Sequence, residues 1–126
     1  MFQKSELPAD IPALYAQENA TDAIVHAHLL LPGTRWHWFI TEWDGDDDAF
    51  GLVVGHEIEL GYFSLSELQE LTARLMLHMN NAPEDGGYRV RGVPTRVIVD
   101  RAFKPTQLSV IRRLFDAVGP LFKGLP

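Results

Sequence analysis

Histidines are the residues in this chain whose spacing best suits a metal site. His26 and His28 are two residues apart, so both side chains would lie on one face of a β-strand. His37 and His56 fall in the next two β-rich stretches, and imidazoles from neighbouring strands are common zinc ligands. A small metal-dependent hydrolase or metal-binding domain is therefore one alternative. Spacing alone is a weak motif, so we predict that His26 and His28 belong to a half-exposed sheet face and that the histidines hold no metal.

The motifs of other catalytic and ion-binding sites do not occur. The chain has no cysteine, which excludes thiolate zinc sites and thiol nucleophiles. Ser64 does not stand in a G-x-S-x-G elbow, and no glycine-rich phosphate loop precedes a helix. The acidic run at 44–48 does not fit the ligand pattern of an EF-hand calcium loop. We therefore favour a protein that is not an enzyme and that uses no cofactor.

Acidic residues dominate the first half of the chain. The formal net charge is -6, yet residues 1–70 hold 13 acidic and two basic side chains, whereas residues 71–126 hold four acidic and nine basic ones. An acidic face with an exposed aromatic anchor suits a basic groove on another protein. We predict that Trp43 is this exposed aromatic and that Trp36 and Trp38 are core residues. The predicted partner-binding residues are Glu42, Trp43, Asp44, Asp46, Asp47, Asp48, Glu57 and Glu59.

The basic second half offers another alternative, a nucleic-acid-binding accessory protein. Cations near aromatic side chains can contact phosphates and stack on bases. The isoelectric point near 5.2 and the acidic first half oppose binding to a polyanion, so we rank this function below protein binding. The cations are Arg89, Arg91, Arg96, Arg101, Lys104, Arg112 and Arg113, and the aromatics are Tyr88 and Phe103.

The elements that would position these residues are strands followed by helices. The pattern predicts an antiparallel sheet meander packed by two main helices in a single α+β domain over residues 1–126. In the strand at 35–43, alternation places His37, Phe39, Thr41 and Trp43 on one face. The predicted segments are a helical turn at 11–17, strands at 23–31, 35–43, 49–54 and 56–62, a helix at 65–78, a hairpin at 88–93 and 96–100, and a helix from 105 to 119.

Local signals sharpen two parts of this pattern. Ser64 followed by Glu67 forms the sequence of a capping box, which predicts that a helix begins at residue 65. Gly51, Gly55 and Gly61 lie in the stretch formed by the third and fourth strand segments and their junction, where glycine indicates a bulge or a close backbone approach. We therefore expect irregular strand geometry in this stretch and a regular helix directly after it.

The length of 126 residues suits one domain, and the composition is that of a globular protein. The first residues lack the basic and apolar regions of a signal peptide, and no apolar run is long enough to span a bilayer. We therefore predict a cytoplasmic protein that does not bind membranes.

Several segments are similar to a small bacterial protein family of unknown function. The strongest similarity is at 59–68, which resembles the family signature E-L-G-Y-F-S-L-x-E-L. The resemblance covers about residues 12–70 and 97–110, so 76–95 looks like an insertion. Other similar segments are Leu14–Asn19, Asp22–His26, Trp36–Trp38, Thr41–Asp44, Phe50–Val53 and Val99–Pro105.

The resemblance implies a genetic context. Members of that family are carried on plasmids, phages and integrative elements, beside genes for conjugation or for blocking host defence. It implies that this chain is an accessory protein of a mobile element and an inhibitor of a bacterial defence complex of the anti-CRISPR or anti-restriction type. It supplies no catalytic residue.

Overall fold

The computed structural model describes residues 1–72 and 95–117. Seven strands, two α-helices and one 3-10 helix make up this part of the chain. The strands are β1 (Ile24–Val25), β2 (Ala27–Leu30), β3 (His37–Trp43), β4 (Asp48–Val54), β5 (Ile58–Ser64), β6 (Ile98–Val99) and β7 (Thr106–Gln107). The helices are the 3-10 helix Lys4–Glu6, α1 (Leu65–Glu70) and α2 (Leu108–Ala117).

Five of these strands form one antiparallel sheet in the order β5-β4-β3-β2-β6. Strands β2 to β5 follow one another through short connections, which is the predicted meander, and β6 adds to the far side of β2. A separate antiparallel ladder joins β1 to β7. The predicted α+β class and single domain are therefore confirmed. Among the described helices, none has the length and apolar character needed to cross a membrane.

The sheet is covered on both faces. On one face, Trp38 and Ile40 join a buried cluster that includes Leu65 and Leu68 of α1 and residues of the N-terminal segment. On the other face, Phe39 and Leu52 pack in a second cluster with α2. Alternation along β3 and β4 separates the two clusters, so α1 and α2 lie on opposite sides of the sheet.

A bulge in β3 changes which side chains share a face. Ile40 pairs with Gly51, but Glu42 pairs with Phe50, so Thr41 is an extra residue in the strand. Its hydroxyl donates to the Phe50 carbonyl at 3.1 Å. Beyond the bulge the alternation is inverted. The prediction that Thr41 and Trp43 share the face of His37 and Phe39 is therefore wrong, since Glu42 takes that face.

Of the glycines at 51, 55 and 61, two show the predicted close approach, and Gly55 lies in the turn between β4 and β5. A Cβ atom on Gly51 would overlap the Phe39 carbonyl, and one on Gly55 would overlap the Trp36 ring. A Cβ atom on Gly61 would meet nothing within 4 Å. The expectation of close backbone approach is confirmed at Gly51 and Gly55 and is wrong at Gly61.

The helix after β5 begins as predicted but ends early. Ser64 is the N-cap residue, and its hydroxyl accepts a hydrogen bond from the Glu67 amide at 3.2 Å. Helix α1 ends at Glu70 because Leu71 adopts an extended conformation and Thr72 bridges to Arg96. The prediction of one helix through 65–78 is therefore wrong at residues 71 and 72, and residues 73–78 lie outside the described residues.

Three other boundaries differ from the sequence pattern. Residues 11–17 contain successive turns in place of a helical turn, and the strand at 23–31 is interrupted at His26, where pairing changes from β7 to β3 and β6. Helix α2 begins at Leu108 because Thr106 and Gln107 pair with β1. The predicted strand at 88–93, the end of the last helix and nearly all of the predicted insertion at 76–95 lie outside the described residues.

Candidate functional site

The predicted acidic residues lie at the two ends of β5. At one end, the β3–β4 hairpin contains Asp44–Asp48, and Asp48 pairs with Ser64. At the other end, Glu57 lies in the turn before β5 and Glu59 near the start of the strand. Six strand steps of about 3.3 Å separate Ile58 from Ser64, so the two groups are about 20 Å apart. The acids therefore flank β5 and do not form one patch.

One of the carboxylates of the hairpin, that of Asp44, accepts hydrogen bonds from the backbone of the turn. Asp44 Oδ1 accepts from the backbone amides of Asp46 and Asp48, at 2.8 and 3.1 Å. Asp46 and Asp48 are themselves exposed, and Asp46 lies 3.6 Å from the Lys4 ammonium. Asp44 thus shapes the turn, while Asp46 and Asp48 present carboxylates to solvent.

Asp47 links the hairpin to α1. Its carboxylate accepts from the Ser64 hydroxyl at 2.6 Å and from the Ser66 amide at 2.8 Å, and Lys4 lies 3.4 Å away. The hydrogen bonds from Ser64 and Ser66 hold the pKa of Asp47 at about 2. This residue therefore positions the N-terminus of α1, a structural role that its place in an acidic run did not indicate.

Glu42 and Trp43 do not lie on the acidic surface. The bulge at Thr41 directs the Glu42 side chain into the interior of the protein, where Glu42 is only 4% exposed. Trp43 instead packs against the cluster on the α1 side, and its Nε1 donates to the Asp46 carbonyl at 3.0 Å. One inserted residue exchanges the faces of Glu42 and Trp43, so Trp43 is half-buried and not a fully exposed anchor. Whether it contacts a partner stays a prediction.

The buried carboxylate of Glu42 organises the loop before β1. Its two oxygens accept the backbone amides of Tyr15 and Gln17, each at 2.8 Å. The Gln17 side chain in turn donates to the carbonyls of Thr41 and Ile24 and accepts from the Ile24 amide. Three segments that carry the family resemblance, at 14–19, 22–26 and 41–44, thus meet in one network.

Strand β5 is an edge of the sheet among the described strands. On its ladder with β4, the Gly55 amide donates to the Glu57 carbonyl and the Leu65 amide to the Asp47 carbonyl. Hydrogen-bonded pairs alternate along an antiparallel ladder, so the odd-numbered residues of β5 bond to β4. The backbone N–H and C=O groups of Leu60 and Tyr62 therefore point away from the sheet.

The side chains of Leu60 and Tyr62 are also exposed, at 42% and 57%. They lie on the α2 face of the sheet, next to Phe50, whose ring centroid is 4.7 Å from that of Tyr62. Tyr15, 63% exposed, places its ring 6.5 Å from the Tyr62 ring. Sequence reasoning missed these three residues, although the alternation through 58–62 could have identified Leu60 and Tyr62 as sharing one face.

These exposed side chains border a cleft of about 770 Å³. Its floor is the sheet at Phe50, Leu60 and Tyr62, and its walls are the loop at 15–23 and the first turns of α2. Its charged lining residues are Glu18, Asp22, Glu42 and Arg112. The volume is in the usual range for small-ligand sites, and the lining combines apolar surface with a few polar groups.

The four histidines of the alternative metal-site hypothesis do not come together in one group. His28 Nδ1 lies 3.0 Å from Asp100 Oδ2, and its Nε2 lies 2.8 Å from His37 Nδ1. In the neutral state His28 donates to Asp100 and accepts from His37. His56 is exposed beside Arg35 and the Trp36 ring, and His26 lines a second cavity with Asp100. Among residues 1–72 and 95–117, no three acidic or imidazole side chains are grouped to hold a metal.

The His28–His37 pair is packed as an aromatic stack. His28 stacks on Phe39 with ring centroids 4.4 Å apart, and His37 lies 5.5 Å from the Phe115 ring of α2. Burial and the neighbouring His28 lower the pKa of His37 to about 4. Burial also lowers the pKa of His28, although Asp100 opposes the shift. Both rings are therefore neutral at pH 7.

We expect the free energy of unfolding to fall by about 2 kcal/mol between pH 7 and pH 5, because His37 takes up a proton in the unfolded chain but not in the folded one. The pKa is lowered by folding, so this stability is present above pH 6.5 and is lost as the pH falls toward 4. Urea titrations at several pH values measure it. H37F should flatten the dependence and H56F should retain it; equal slopes for wild type and H37F would contradict the assignment.

The predicted cations are distributed over separate elements. Arg101 pairs with Glu6 at 3.3 Å, which joins the basic half of the chain to the acidic half. Arg112 lines the cleft, and Arg96 donates to the Gln69 carbonyl at 3.4 Å. Phe103 packs in the cluster on the α2 side, while Tyr88, Arg89 and Arg91 lie outside the described residues. Arg96, Arg101 and Arg112 thus occupy different parts of the fold.

Comparison with known proteins places this chain in one protein family. Residues 3–84 match the family described as "Protein of unknown function (DUF2958)". No curated protein and no solved structure matches the chain. The matched residues include β1 to β5, α1 and the network of Glu42.

Proposed function

Because the chain belongs to the DUF2958 family, whose function is unknown, we propose its role from its own surface. It is a non-enzymatic protein-interaction module that binds a basic partner along the open edge of β5. The observation that carries this proposal is the combination, on one strand, of outward-facing backbone groups with two exposed apolar side chains, those of Leu60 and Tyr62.

An extended segment of the partner can add to β5 as a further strand. The N–H and C=O groups of Leu60 and Tyr62 supply the main-chain hydrogen bonds, as edge strands do in strand addition. Side chains of the added strand that lie on the α2 face would contact Leu60 and Tyr62, which supplies apolar burial. The length of β5, seven residues, suffices for a short added strand.

The acidic residues near both ends of β5 favour a partner segment with positive charge. Glu57 and Glu59 lie at the start of β5, and Asp46 and Asp48 are exposed beyond its end. A basic partner gains favourable potential at both ends of the edge, whereas an acidic chain is repelled there. Exposed carboxylates also protect an edge strand from pairing with a second copy of itself. These charges therefore select a basic segment as the added strand.

The resemblance to proteins of mobile genetic elements supports a more specific partner. We propose that the basic partner is a bacterial defence complex that processes nucleic acid, of the CRISPR or restriction type, and that the chain inhibits it in the cytoplasm. Such complexes present basic grooves to their nucleic acid, and an acidic edge suits such a groove. This assignment rests on the resemblance and on the charge of the β5 edge.

Charge reversal at the edge tests the proposal. The full chain, immobilised, is used to capture proteins from a nuclease-treated bacterial extract. We expect E57K/E59K to lose a basic protein that the wild type retains, because two attractive charges become repulsive. The matched control is E67K/E70K, which makes the same charge change at exposed positions of α1. Equal capture by the two double variants, or capture of no basic protein by the wild type, would refute the proposal.

A further inference from the structure

The cleft beside β5 carries more negative than positive charge. Glu18, Asp22 and Glu42 line it together with one base, Arg112. The Asp22 carboxylate accepts the amide and hydroxyl of Ser109, which fixes it at the start of α2. Among the described residues, Glu42 bonds to backbone amides and forms no ion pair with a cationic side chain. The cleft is therefore a site of negative potential with a buried carboxylate at its base.

Two exposed tyrosines stand beside these charges. The Tyr15 and Tyr62 rings are tilted by 59° with centroids 6.5 Å apart, and both line the cleft. Hydrogen bonding of the Tyr62 hydroxyl to Tyr15, burial and the charges of Glu42 and Glu18 raise the pKa of Tyr62. The faces of aromatic rings attract cations, and a planar guanidinium also stacks on them.

The position of Tyr15 depends on Glu42. Tyr15 has a backbone φ of +71°, in the left-handed region that residues other than glycine rarely occupy. The Glu42 carboxylate holds the amides of Tyr15 and Gln17, so the same buried charge stabilises this conformation and contributes to the field of the cleft. The position of the Tyr15 ring and the negative charge of the cleft therefore both depend on Glu42.

We infer that this cleft receives an arginine side chain of the partner protein, with the guanidinium between the tyrosine rings and the carboxylates and the alkyl stem on Phe50 and Leu60. This rests on the proposed function, since Leu60 and Tyr62 belong to both the β5 edge and the cleft. A segment added to β5 has side chains on the α2 face, where the cleft lies. The charge and the aromatic rings favour arginine over acidic or purely apolar side chains.

The probe is N-acetyl-arginine N-methylamide, titrated to millimolar concentration into the ¹⁵N-labelled full chain. Its matched control is the N-acetyl-citrulline N-methylamide, which has nearly the same shape and no charge. We expect saturable amide shifts at residues 15–23, 50–62 and 108–112, with at least tenfold weaker binding of the citrulline probe. Equal binding of the two probes, or shifts outside these three segments, would overturn the inference.

Two substitutions localise the binding. E18Q removes an exposed charge of the cleft and should weaken the arginine probe severalfold, whereas E70Q, on α1, should leave it unchanged. Y62L should weaken it as well, because the aromatic face is lost while the apolar contact with Phe50 is kept. If the E18Q and E70Q variants bind the arginine probe with equal affinity, the inference fails. The probe needs no partner protein, so its failure is separate from that of the capture experiment.

Discussion

Replacing Gly51 by alanine is expected to lower the free energy of unfolding by about 3 kcal/mol or more, and so to leave little folded protein. Gly51 is buried in β4, and an added Cβ atom would overlap the carbonyl group of Phe39. The obstacle is backbone of the neighbouring strand at the start of the β3 bulge, so a side-chain rotation cannot relieve it. The central strands of the sheet would have to separate to accept one methyl group.

The chain contains a matched control for this change. Gly61 is the cross-strand partner of Gly51 on β5, and a Cβ atom there would meet nothing within 4 Å. G61A should stay within about 0.5 kcal/mol of the wild type, since the same methyl group enters open space. Urea unfolding followed by tryptophan fluorescence measures both variants. Similar stabilities of G51A and G61A would contradict the tight approach of β3 and β4.

Replacing Glu42 by alanine is expected to cost about 3 kcal/mol, the second large effect. The substitution leaves the amides of Tyr15 and Gln17 without their acceptor and removes the support for the left-handed φ of Tyr15. E42Q should cost less, about 1–2 kcal/mol, because its amide oxygen can accept only one of the two bonds in the same geometry.

Amide exchange locates the effect of E42A. The amides of Tyr15 and Gln17 should exchange much faster in E42A than in the wild type, because both lose a 2.8 Å hydrogen bond. The neighbouring change E18A, at an exposed residue, should leave both the stability and these two amides close to wild type. Unchanged protection of Tyr15 and Gln17 in E42A would show that the carboxylate does not hold the loop.

Local sequence signals predicted where strands and helices begin better than they predicted which face of the sheet each side chain lies on. Alternation identified β2 to β5 and their meander, and Ser64 identified the start of α1, because these features depend on neighbours in the sequence. The end of α1 depends on the bridge between Thr72 and Arg96, which are far apart in sequence. A helical pattern continuing past Glu70 could not reveal that competing contact.

The same limit applies to the site. The bulge at Thr41 is a property of the pairing between β3 and β4, and it places Glu42 inside and Trp43 against the α1-side cluster. Composition identified the acidic character of the surface, but it could not separate Asp47, which accepts hydrogen bonds from Ser64 and Ser66 at the start of α1, from the exposed Asp48. Leu60 and Tyr62 became candidates only when β5 was placed at the edge of the sheet.

Hydrogen–deuterium exchange on the complex with the captured basic protein tests the central claim most directly. In the free chain, the amides of Glu59 and Gly61 should be protected by β4, and those of Leu60 and Tyr62 should exchange rapidly. Strand addition predicts that the partner slows exchange at Leu60 and Tyr62 by at least tenfold. Exchange at these two amides that the partner leaves unchanged, with protection appearing elsewhere, would contradict binding along the edge of β5.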